Sequence, residues 1–94
     1  MKCPIKLHSS ILGLSWDKDG KPYNYRTLTP ITIDAEDIVQ IVDHFDDKNK
    51  SEMNFCCLLM DCSKYGKDNK MQVAESMETI NNLINTQKIV NKLV

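Results

Sequence analysis

The chain reads as a small two-layer α+β domain in the order β-β-α-β-α, and three features of its 94 residues predict this. Two β-rich segments flank the turn sequence DKDGKP. A run with helical spacing of apolar residues follows. The unbroken apolar block from Phe55 to Met60 then precedes a second helical stripe. With 41% hydrophobic residues and no low-complexity tract, residues 1–94 form one domain, with 87–94 set apart as a C-terminal extension or interface segment.

The hairpin comes first. ILGLSW and YNYRTL enclose Asp17, Asp19, Gly20 and Pro22, residues with turn chemistry, so 11–28 is expected to fold back on itself. Pairing would bring Trp16 towards Tyr23 and Tyr25 as a cross-strand aromatic cluster. The following ITI extends the second strand to Asp34.

Asp34 is a good helix N-cap, and Asp37 three residues later completes a capping-box pattern with Asp in place of Glu. Ala35, Ile38, Ile41, Val42 and Phe45 share one stripe at 100° per residue, while Glu36, Asp37, Asp43, His44 and Asp47 fall outside it. A helix over 35–46 with an acidic outer face follows. The polar run DDKNKSE is its exit loop.

For the apolar block two backbones are readable. A helix over 52–65 would have Ser51 as cap and Gly66 as stop. A strand over 53–61, apolar on both faces, fits the central strand of a helix-covered sheet and is favoured. The connection from hairpin to this strand is expected to be a right-handed crossover between parallel strands, giving a mixed sheet.

The last helix is expected from Asp68 or Asn69, with Val73, Met77, Ile80 and Ile84 inward and Leu83 at the shoulder. Ile89 and Leu93 project at about 160° and 200° from Val73 on the same wheel. One straight helix cannot bury both sets against one core. Either it breaks near NNLINTQK, or its end carries Ile89, Val90, Leu93 and Val94 to a second surface, supplied by a partner protein or a second copy.

Composition removes several classes. The longest apolar run is far short of the ~20 residues of a membrane span, and MKCPIKLHSS has no apolar signal core, so a cytoplasmic protein is expected. There the cysteines stay reduced. Net charge is −1, distributed as +3 over 1–30, −6 over 31–62 and +2 over 63–94. One arginine against eleven lysines suits a low-GC bacterial or bacteriophage gene better than a nucleic-acid footprint.

The candidate chemistry is sparse. Cys56 and Cys57 are adjacent, and Cys57 and Cys62 are separated by four residues; neither spacing is a zinc knuckle, so no metal or other cofactor is implied. As a strand the block points Cys56 and Cys57 to opposite faces, which suits packing and prevents joint ligation. Asp17 and Asp47 each begin an acidic stretch, but where a calcium loop has glycine at position 6 and glutamate at position 12 they have Pro22 and Leu28, and Glu52 and Leu58. No phosphate-binding or nucleophile motif is present.

Three readings of function follow. The leading one is a non-catalytic protein-binding module, a regulator or inhibitor of a partner protein with a homodimer as one form it could take, using the acidic Glu36, Asp37, Asp43 and Asp47 and the apolar Ile89, Val90, Leu93 and Val94. The second is single-stranded nucleic-acid binding by the hairpin, with Trp16, Tyr23 and Tyr25 stacking bases and Lys18, Lys21 and Arg26 contacting phosphates. The third is thiol chemistry at Cys62 assisted by Asp61 or Lys64, where the apolar block ends.

Overall fold

The computed structural model describes residues 2–44 and 54–93. Strands β1 (Pro4–Trp16) and β2 (Pro22–Asp34) pair antiparallel over their whole length, from Pro4↔Asp34 to Trp16↔Pro22. Their turn is held by Asp17, whose carboxylate accepts from the N–H groups of Asp19 and Lys21, each at 2.9 Å. Gly20 supplies the positive φ of 77° that the turn requires.

At the far end of β2, Asp34 ends the strand as a cap. Its carboxylate accepts from the backbone of Lys2, Cys3 and Glu36, which ties the start of the chain to the turn after β2. The helix expected over 35–46 does not form over its described residues, 35–44. A 3-10 turn (Ala35–Asp37) leads directly into strand β3 (Ile38–Asp43).

The reason is a β-bulge. Against strand β4 (Cys56–Met60), Ile38 pairs with Met60 and Gln40 with Leu59, so Val39 is an extra residue. The bulge resets the alternation, and Ile38 and Ile41 both face the core although they are three positions apart. A strand with this defect copies the apolar spacing of a helix.

The strand reading of the apolar block holds. Cys56, Leu58 and Met60 are buried on one face, with Cys57 and Leu59 half-buried on the other. After the short helix α1 (Cys62–Tyr65), the chain returns as β5 (Lys70–Val73), where the sequence predicts the first turn of the last helix. Helix α2 (Met77–Leu93) starts later, where Ser76 Oγ accepts from Thr79 N at 3.2 Å as its cap.

The sheet order is β2-β1-β5-β4-β3, and every pairing is antiparallel. The expected parallel crossover is therefore replaced by a direct β3–β4 antiparallel pair. One face of the sheet carries α2, whose Ile80 is fully buried over Ile5, Leu7, Ile33, Leu58 and Val73. The result is the two-layer α+β domain that the sequence predicts.

Candidate binding surface

β1 pairs with β5 only at Ser9↔Val73, so beyond this point the β1–β2 ribbon continues alone. The molecule is accordingly elongated, 56 × 30 × 20 Å, with a radius of gyration of 15.6 Å against about 12 Å for a compact chain of this length. The projecting ribbon, 11–28, is the arm.

Alternation places Leu12, Leu14, Trp16 and Leu28 on one face of the arm and Ile11, Tyr23 and Tyr25 on the face that further down carries α2. All seven are exposed, Trp16 and Ile11 at 61%. The aromatic cluster expected from sequence is thus divided. Tyr23 and Tyr25 lie together with ring centroids 6.3 Å apart, and Trp16, paired with Pro22, faces the other way.

Arg26 fastens the root of the arm. Its guanidinium lies 4.1 Å from the centre of the Phe55 ring and donates to Gln72 Oε1 at 2.7 Å and to Ser10 O at 3.2 Å. Phe55 in turn stacks on His44, centroids 4.7 Å apart. The one arginine is therefore engaged across β1 and β5, and is not displayed with Lys18 and Lys21. Those lysines share the tip with Asp17 and Asp19, which cancel their charge.

No protein-family model matches this chain, and no curated protein or solved structure matches it either. Its surface chemistry has to be read from its own residues.

The acidic set is not one helical face. Asp37 is buried, with Lys64 Nζ at 2.7 Å and the Tyr65 hydroxyl at 3.5 Å. Glu36 is exposed on the 3-10 turn, and Asp43 lies at the end of β3, where its Oδ1 accepts from the Cys56 thiol at 3.7 Å. Asp47 lies outside the described residues, as does Val94.

At the other end of the molecule, α2 runs unbroken past its inner stripe, and Ile89, Val90 and Leu93 are exposed, Leu93 at 81%. Asn91 Nδ2 donates to Lys2 O at 2.6 Å and holds this end against the start of the chain. A groove of about 740 Å³ lies between α2 and β3, bordered by Ile38, Gln40, Asn81, Ile84 and Asn85. Glu36 and Lys88 also line it, beside a wall made mostly of amide and aliphatic side chains.

The thiol candidates are placed apart by function. Cys62 is exposed, but Asp61 accepts from Ser63 Oγ and Ser63 N at 2.8 and 3.0 Å, and Lys64 is turned to Asp37. Ser63 Oγ first, then its backbone N–H, holds the Asp61 carboxyl below its ordinary value. Asp61 thus caps α1, and Lys64 is paired across to the 3-10 turn after β2. Burial, followed by the charge of Asp43, pushes the Cys56 thiol up to about 11. Among the described residues no group of three or more His, Cys, Asp or Glu side chains is arranged to hold a metal, and no helix is long and apolar enough to cross a membrane.

Proposed function

We propose that this chain is a non-catalytic protein-binding module, a cytoplasmic regulator or inhibitor that acts through its projecting arm. The observation that carries this reading is the exposure of large apolar side chains on both faces of a two-stranded ribbon. Such a ribbon has no core of its own and is marginal in water, so its apolar faces gain most from a macromolecular surface laid against them. The exposed end of α2 offers a second, smaller patch at the opposite pole.

The test compares three baits in the source cell: the native chain, a Leu12→Ser/Leu14→Ser variant, and an Ile89→Ser/Leu93→Ser variant. A protein retained by the first and third and lost from the second is the expected partner, to be verified by titration of the purified pair. Retention by the arm variant with loss from the α2 variant would move the binding site to the other pole. Titrating single-stranded DNA against the Trp16 fluorescence separates the nucleic-acid reading, for which a flat response at low salt is expected because the tip carries no net positive charge.

A further inference from the structure

We infer that the outer edge of β2 pairs with the β2 edge of a second copy, in an antiparallel register centred on Arg26. This rests on the reading of the arm as a protein-binding element and specifies its partner.

The direction of the backbone groups follows from His8. Its N–H donates to the Glu75 carboxylate and its C=O accepts from Ala74 N, both on the β5 side. His8↔Pro30 is therefore a pair without mutual hydrogen bonds, and by alternation the even-numbered residues of β2 turn their backbone groups to the open edge. β2 is the terminal strand, so these groups have no strand beside them.

Pro22 and Pro30 both occupy outward positions, where a proline removes a donor from the edge and none from the β1–β2 ladder. They delimit a window of three outward residues, Asn24, Arg26 and Leu28. When two copies are related by a two-fold axis at Arg26, Asn24 opposes Leu28 and each Pro22 opposes the other copy's Pro30. Every missing donor then falls opposite another missing donor, and about six inter-chain hydrogen bonds form between them. Sliding the register by two residues sets a proline against a residue of the window and forfeits bonds.

The side chains agree with this register. On the face shared with α2, Tyr25 opposes Thr27 and Tyr23 opposes Thr29, aromatic against β-branched, which is a favourable cross-strand pairing. The two Arg26 side chains would repel if they met, but each is drawn over its own β1 to Phe55 and Gln72. Pairing converts two projecting ribbons into one four-stranded sheet.

Sedimentation equilibrium is the test. The native chain is expected at twice its monomer mass, as is Leu93→Ser, while Leu28→Pro, which deletes one outward N–H, reverts to monomer with its circular dichroism unchanged. Should Leu28→Pro perturb folding, a Cys62→Ser background carrying Asn24→Cys together with Leu28→Cys gives an independent reading. In this register position 24 of one copy opposes position 28 of the other within the ~7 Å a disulfide tolerates and the two cross-link on oxidation, whereas Thr29→Cys, about 20 Å from its copy, does not. A monomer at every soluble concentration overturns self-pairing. If such a monomer still captures a partner through Leu12 and Leu14, the protein-binding reading survives alone. Loss of the dimer in Leu93→Ser with retention in Leu28→Pro assigns the contact to α2 and also overturns the proposal.

Discussion

The ring of Tyr25 lies over Gly13, its cross-strand partner, so closely that a Cβ on Gly13 would come within 2.5 Å of Tyr25 Cζ. Glycine at this position lets the ring lie flat on the ribbon. Gly13→Val is expected to swing the Tyr25 ring outward and separate it from Tyr23. Because the ring is exposed and its tip is free to move, the change in global stability stays under about 1 kcal/mol. Ring proton shifts in the variant, with urea unfolding beside them, would show one effect without the other.

Arg26 is the joint between arm and body. Arg26→Ala removes a cation–π contact and three hydrogen bonds, to Gln72 Oε1, Ser10 O and Ser10 Oγ, and is expected to cost about 1 to 3 kcal/mol. Arg26→Lys recovers part of this, since an ammonium cannot cover Phe55 and reach Gln72 with the same planar fork. Hydrogen exchange should rise across 11–28 in Arg26→Ala while the amides of β4 remain protected. Uniform exchange across the whole chain would contradict the joint.

Core and arm should differ sharply under truncation. Leu58 is fully buried between β3 and β5, so Leu58→Ala is expected to destabilise by about 2 to 5 kcal/mol. Leu14→Ala, on the arm, should lie within about 0.5 kcal/mol of the native chain under dilute monomeric conditions. Chemical denaturation of both variants checks the contrast.

Acid sensitivity should trace to Asp34. Hydrogen bonds from the backbone of Glu36, then of Lys2 and Cys3, hold its carboxyl below the ordinary value of 3.8. A depressed folded-state pKa contributes stability that is present above the unfolded value and lost as the pH falls through the folded one. The urea midpoint should therefore be level above about pH 5 and decline below about pH 4, and Asp34→Asn should start lower and decline less. Asp61 shifts in the same direction, so part of the slope persists in that variant.

The thiols should react in order of exposure. Cys62 is exposed, Cys57 half-buried, and Cys3 and Cys56 buried, the Cys56 pKa raised to about 11. A chromogenic disulfide reagent at pH 8 should modify Cys62 first and leave Cys3 and Cys56 intact until denaturant is added. Early modification of Cys56 would contradict its place in the core.

Much of the architecture was legible because it depends on neighbours in sequence. DKDGKP forms a turn through Asp17 and Gly20, and the block from Phe55 to Met60 contains a strand flanked by β3 and β5, with Cys56, Leu58 and Met60 buried on the face that carries α2. Met77, Ile80 and Ile84 lie at helical spacing and do form the inner stripe of α2. Val73, four residues before Met77, mimicked one further turn of that helix, yet it is the buried residue of β5. The signal that helix α2 begins later was Ser76, an N-cap three residues before Thr79.

What sequence alone determined was therefore the class: an α+β domain with a hairpin, a buried strand and a C-terminal helix, each specified by turn chemistry or by an apolar period. Tertiary structure decided the rest. Whether Ile38 and Ile41 belong to a helix or to a bulged strand depends on β4 lying alongside, since a bulge reproduces the helical step. Whether Trp16, Tyr23 and Tyr25 are core or surface depends on how far β5 runs beside β1. That pairing ends at Ser9, and everything beyond it is left to solvent or to a partner.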